Sequence, residues 1–313
     1  MEHIIDTFIN GTKNMTKNPV IFVPFLLLIA FTVVFSIIWN IVFYATMFDG
    51  TEISIMPTIA DVIYYLVLII PSVYISAGMI GMSKEAVSTG KTSFKDLFTY
   101  GNKYTIPLIF ASIILSLLQA VIVIFWLPVV YLFMNSGYTI DLFFELLVSD
   151  FDALIPFLKT LIIPAFLGFL LTLIYLLIIS ILFYFVTYAI VVDDMPVIAS
   201  FKKSYAMICR HFWKVLAFII ALYIVTNGIL GIVLVIFYVV IFFTTIFILI
   251  SPALSILSLL ILLLVTVILL IVAVLISVAT FVWTTRFYMS VNDHELCTEI
   301  NTEIKEDLLT TDF

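Results

Sequence analysis

From Phe212 to Val291 the chain runs for eighty residues without a single Asp or Glu, and with only Lys214 and Arg286 as charges. Water offers no home to such a run. About 20 consecutive apolar residues, rising 1.5 Å each, already cross the hydrocarbon of a bilayer. Four earlier apolar blocks repeat the pattern, at about 19–48, 59–83 (with Pro71), 104–134 and 154–192. Of the 313 residues 65% are hydrophobic and 11% charged, against about 25% charged in soluble domains. The fold class is therefore all-α, a polytopic membrane protein. The last eighty residues have room for two long helices or three short ones. Ser251-Pro252 is their clear turn signal, and two helices match the lengths of the earlier blocks, so six transmembrane helices are expected.

The basic residues set an orientation. The segments 49–58 and 135–153 carry Asp49, Glu52, Asp141, Glu145, Asp150 and Asp152 and no Lys or Arg, and they read as solvated connectors. The alternate segments carry Lys84, Lys91, Lys95 and Lys103, then Lys202, Lys203, Arg210 and Lys214, with Arg286 ending the last span. Lys159 falls on the other side, at a helix start from which it can snorkel. Basic residues beside spans favour the cytoplasm, which puts both termini there, in a prokaryotic plasma membrane. Residues 1–18 form a cytoplasmic interfacial segment, with Ile4, Ile5, Phe8 and Ile9 on one side of a helix. They are too polar for a signal peptide, so the first block is expected to be an uncleaved anchor. Residues 19–291 form the six-helix transmembrane domain. Residues 292–313 form an acidic cytoplasmic tail with too few apolar residues to fold alone. Cys209 and Cys297 both fall on the reduced, cytoplasmic side.

One charged run, DDMPVIASFKKSYAMICRHFW at 193–213, separates the fourth block from the last eighty residues. Phe201 precedes Arg210 by nine residues, as Phe8 precedes Lys17 and Phe94 precedes Lys103. Each basic residue stands just before an odd-numbered span. Phe201, Tyr205, Ile208 and Phe212 keep helical spacing, and Phe94, Leu97 and Phe98 make a shorter stripe. The pattern predicts elbow helices that sink an apolar face into the headgroup boundary and offer basic residues to lipid phosphate. Lys17, Lys103, Lys202, Lys203, Arg210, His211 and Trp213 are the candidate headgroup contacts. Three such hairpins would insert the same way round, as parallel repeats. Asp193, Asp194 and Pro196 are read as the junction and cap of a helix at 196–210, where negative charge suits the positive end of the dipole.

The stretch AIVVDDMPVIASFKKSYAMICRHFWKVLAFIIALYI and the opening KNPVIFVPFLL resemble a broad group of prokaryotic six-helix membrane families of unknown function. These are similar to the membrane domain beside the catalytic domain of some glycerophosphodiester phosphodiesterases. The resemblance covers residues 1–291 and places Asp193, Asp194, Pro196, Ser204, Arg210, His211 and Trp213 on the junction motif. The catalytic domain of those enzymes has no counterpart in these residues, so phosphodiesterase activity is not implied.

The polar residues inside the spans, Asn40, Gln119, Thr172, Thr226 and Asn227, are uncharged, whereas ion-coupled carriers keep ionisable groups at depth. Asn227, Gly228 and Gly231 read as small, polar packing contacts between helices. In a permease or lipid transporter, Asn40, Gln119 and Asn227 would instead line a cavity. The motifs HExxH, GxxxxGK[ST], GxSxG and CxxC do not occur. His294 and Cys297 have i,i+3 spacing without further ligands nearby, so neither a metal nor a cofactor is expected. A lipid-headgroup enzyme would have to use Asp193, Asp194 and His211. The expectation is a non-enzymatic membrane module whose partners are membrane lipids and other membrane proteins, not nucleic acid.

Overall fold

The computed structural model describes the backbone of residues 3–47, 56–136, 151–250 and 255–310, and the side chains of 3–41, 61–135, 162–246 and 256–292. Nine α-helices are described: α1 Ile4–Lys17, α2 Val23–Met47, α3 Met56–Ser88, α4 Phe94–Ala120, α5 Ile122–Ser136, α6 Phe151–Leu182, α7 Val186–Val192, α8 Val197–Ile250 and α9 Ser255–Thr310, with a 3-10 turn at Pro19–Phe22. No strand occurs among the described residues. Six stretches among these residues are long and apolar enough to cross a membrane: Pro19–Ile41, Asp61–Ser88, Phe94–Asn135, Ile162–Val192, Val197–Ile246 and Ile256–Asn292. The last eighty residues of the apolar region thus make two helices. The expected turn at Ser251-Pro252 and the acidic residues Asp49, Glu52, Asp141, Glu145 and Asp150 lie outside the described residues, as do the side chains of Asp152, Lys159 and everything beyond Asn292.

The chain forms two compact units. One comprises Met1–Ile109, Thr187–Pro196 and His211–Phe313, the other Phe110–Val186 and Val197–Arg210.

In the first unit α1 lies along α9, and α3 packs between α2 and α9. α1 buries Thr7, Gly11 and Met15, one residue per turn. A side chain at Gly11 would start 2.5 Å from Cδ1 of Trp283, so only glycine lets the indole lie flat against the helix. Trp283 Nε1 donates to Thr12 Oγ1 at 3.1 Å. Its ring meets Phe8 edge-on at 4.9 Å, and Phe218 stacks on Phe287 at 4.0 Å. Asn18 closes the elbow between α1 and α2. Its Nδ2 donates to Asn14 O and to Gly90 O, and its Oδ1 accepts the Thr92 N–H. Ile5 and Ile9 point away from this contact and are exposed. The interfacial stripe expected from Ile4, Ile5, Phe8 and Ile9 is therefore split: Phe8 packs inward while Ile5 and Ile9 face outward.

In the second unit α5 pairs with α6. Trp126 Nε1 donates to Thr172 Oγ1 at 3.1 Å, and Phe125 meets Tyr175 edge-on at 5.6 Å. Both pieces of this unit border a helix break, and each break is met by a hydroxyl. Between α4 and α5, Tyr175 donates to Leu118 O at 2.7 Å. Between α6 and α7, Ser204 donates to Leu182 O at 2.9 Å and accepts the Phe185 N–H at 3.3 Å. Irregular backbone at membrane depth persists only where such partners replace water.

The three copies of the Phe–basic spacing differ in form. The first is a separate helix, α1. The third ends where α8 leaves helical geometry at His211 (φ −120°, ψ 29°), one residue after Arg210. The second runs from Phe94 into its span without a break.

Ser204 carries two backbone groups at once. Ser204→Ala is expected to lower stability by about 1–3 kcal/mol, the cost of leaving buried polar groups unmet. Ser204→Thr is expected to lose less, because it keeps the hydroxyl. Thermal unfolding of both variants in lipid nanodiscs checks this.

Candidate functional site

The junction 192–196 gathers the most concentrated polar chemistry of the first unit. α7 ends at Val192, and the last carbonyls of a helix lack intrahelical donors. Lys84 Nζ, from the end of α3, donates to Val192 O at 2.8 Å, a cation where the helix dipole is negative. Asp194 follows in the left-handed region (φ 56°). Helices often stop on such a residue; it is usually Gly, and Asp is among the few others that tolerate it. The turn returns Met195 N–H to Ala189 O at 3.4 Å. Pro196 stands directly before the first residue of α8.

This geometry throws the two carboxylates toward different helices. Asp194 pairs with Lys103 at 2.7 Å and accepts the Tyr104 hydroxyl at 2.9 Å, both from α4. The Lys103 ammonium also lies over the Tyr104 ring, 4.9 Å from its centre. Asp193 accepts the hydroxyl of Tyr288 and, at 3.2 Å, the Nδ2 of Asn292, both from α9. Tyr288 is fully buried. Beside the junction, Tyr100 donates to Glu85, and the Tyr100 ring fills the space that a side chain at Gly81 would take. One five-residue turn thus ties the ends of α3, α4 and α9.

The Lys103 ammonium, and then the Tyr104 hydroxyl, hold the Asp194 carboxyl below the usual carboxylate range. A depressed pKa means stabilisation that is complete above the unfolded-state value and is lost as pH falls through the folded-state value.

The sequence places Asp193 and Asp194 at a helix cap, and the structure adds their partners on α4 and α9. Lys103, a headgroup candidate, is held by Asp194. Lys17, Lys202, Arg210 and Trp213 are exposed, while Lys203 and His211 are half-buried. The cavity candidates Asn40, Gln119 and Asn227 are exposed on α2, α4 and α8. Asn40 donates to Ser36 O and Asn227 to Tyr223 O, each within its own helix. Gly228 and Gly231, read as packing contacts, have nothing within 4 Å of an added Cβ. Among the described residues no three of His, Cys, Asp and Glu gather as metal ligands. Tyr104, Tyr288 and Asn292 were missed in the sequence. The i,i+4 spacing of Tyr288 and Asn292 at the end of a span was their one signal.

A family model described as a domain of unknown function (DUF7847) matches residues 3–291, and the chain belongs to that family. Comparison with curated proteins and with solved structures gives no match.

Two outcomes test the junction. Asp194→Asn suits the left-handed backbone, so it isolates the charge. It is expected to lower the unfolding midpoint at pH 7. The wild type should lose the same increment only as pH falls below about 4. For Asp193→Asn and Tyr288→Phe, a double-mutant cycle is expected to give a coupling of about 1–3 kcal/mol.

Proposed function

We propose that this DUF7847 protein is a non-enzymatic membrane module that engages anionic lipid headgroups with its elbow segments and so sits beside other membrane proteins. The observation that carries this is Trp213, 78% exposed immediately after the His211 kink and next to exposed Lys214. A large aromatic beside a lysine at a helix bend fits the headgroup level, where an apolar ring and a cation are both served. The other elbows carry the same pairing. α1 exposes Ile5 and Ile9 with Lys13 and Lys17. The start of α4 exposes Phe94 and Phe98 with Lys91 and Lys95 nearby. The first turns of α8 expose Ile198 and Tyr205 with Lys202 and Arg210.

In this proposal the basic ends face the cytoplasm, as basic flanks favour, and both termini lie there. The resemblance to the membrane domain of glycerophosphodiester phosphodiesterases agrees with a module that serves a lipid surface while another part does chemistry. A permease would draw on Asn40, Gln119 and Asn227; the bonds of Asn40 and Asn227 to their own helices do not favour it.

Native mass spectrometry of the protein released from nanodiscs containing phosphatidylglycerol and phosphatidylcholine tests the proposal. The wild type is expected to retain phosphatidylglycerol preferentially. Lys202→Ala/Arg210→Ala/Lys214→Ala is expected to reduce that preference several-fold without changing the fold. Equal retention of both lipids by the wild type overturns the headgroup role.

A further inference from the structure

Between α2 and α3 lies an apolar cleft of ≈ 160 Å³, lined by Leu27, Leu28 and Phe31 on one side and Pro71, Tyr74 and Ile75 on the other. We propose that it holds one hydrocarbon chain of a glycerophospholipid drawn from the leaflet at the basic ends of the helices.

Sequence spacing builds the cleft. Residues 27, 28 and 31 share one face of α2, and 71, 74 and 75 share one face of α3. Pro71 has no N–H to offer the carbonyl four residues back, so α3 loses one rung there. Ser72 Oγ donates to Leu68 O at 2.7 Å and Ser76 Oγ to Ser72 O at 2.8 Å. Side-chain bonds thus reinforce the backbone on either side of the proline.

Depth, size and polarity select the occupant. At 1.5 Å per residue, Leu28 lies about 14 Å along the chain from Pro19, and Tyr74 about 21 Å from Ser88. Both depths fall near the middle of a hydrocarbon core about 30 Å thick. Water is absent there, so an apolar cleft is filled by a side chain, a helix or a lipid chain. One turn of helix, about 10 Å across and 5.4 Å in pitch, occupies on the order of 400 Å³. The cleft is too small for it and suits a narrower chain lying parallel to the helices. One wall ends in a polar lip, where the Tyr74 hydroxyl donates to Asn102 Oδ1 at 3.1 Å. That bond orients the exposed Asn102 amide and leaves its nitrogen as a donor, matched to the ester or ether oxygen where a lipid chain joins glycerol.

The inference stands apart from the elbow reading, because its walls contain no basic residue. The test uses nanodiscs of phosphatidylglycerol doped with a phospholipid carrying a diazirine midway along one chain. After irradiation, adducts are mapped by peptide mass spectrometry. Adducts are expected to concentrate several-fold on 27–31 and 71–75 relative to the exposed α9 residues Leu263 and Leu264. Leu28→Trp, which fills the cleft, is expected to abolish that enrichment while the protein still melts cooperatively. Phe31→Ala, which enlarges the cleft, is expected to raise labelling at 71–75; it decides the matter if Leu28→Trp does not fold. The elbow variant Lys202→Ala/Arg210→Ala/Lys214→Ala is expected to keep the enrichment. Even labelling of all exposed faces, enrichment unchanged in a folded Leu28→Trp, labelling unchanged in Phe31→Ala, or cross-links to a second copy at the cleft would each overturn the proposal.

Discussion

A peptide carbonyl inside hydrocarbon has no water to turn to, and much of this structure follows from that constraint. Where helices are continuous the backbone satisfies itself. Where they break, a side chain is spent on the repair. Tyr175 serves Leu118 O, Ser204 serves Leu182 O and Phe185 N–H, and Lys84 serves Val192 O at a helix end. Leaving such groups unmet costs about 1–3 kcal/mol each in a protein interior and more in lipid. These hydroxyls and this ammonium are therefore committed to architecture. Much of the outward surface they leave is the apolar face of helices, which the bilayer covers.

The junction at 192–196 extends the same economy to helices far apart in sequence. Hydrophobic burial has little direction inside a bilayer, where lipid tails are as apolar as leucine. Packing alone sets the contact between spans loosely. Directional bonds set it sharply, and here they come from one turn. The left-handed conformation of Asp194 matters because it lets adjacent carboxylates diverge, one toward α4 and the other toward α9. An extended or helical backbone at that position would aim them differently, and the turn would tie fewer partners.

The architecture was largely legible, since span number and type follow from apolar length. The partners were not. Asp193 and Asp194 stand out by charge, but Tyr288 and Asn292 lie nearly a hundred residues away and are ordinary residues at the end of an apolar run. Ser204 fell within a recognisable motif, yet its task was hidden because the break at 183–185 contains neither Gly nor Pro. Gly228 and Gly231 carried the small-residue signature of helix contact, but that signature does not say whether a neighbour is present, and in this chain none approaches. The nine-residue spacing located three elbows without revealing that Pro19 and the His211 kink set two of them off from their spans while the second runs straight through. Backbone geometry of that kind depends on what packs above it.

The bond between Thr12 and Trp283 joins residues 271 positions apart, and this separation orders assembly in time. A chain made from its N-terminus presents α1 to the membrane surface long before α9 has been synthesised. Until then the groove of Thr7, Gly11 and Met15 has no indole to receive, and α1 can be held only by its own amphipathic character. The spans between must be threaded and the second unit completed from segments interleaved with the first. Closure of α1 over Trp283 therefore reports that the final span has arrived. An early helix serves in this way as the last latch of biogenesis, and a quality-control protease that recognises an unlatched α1 would see nascent and mis-inserted chains alike.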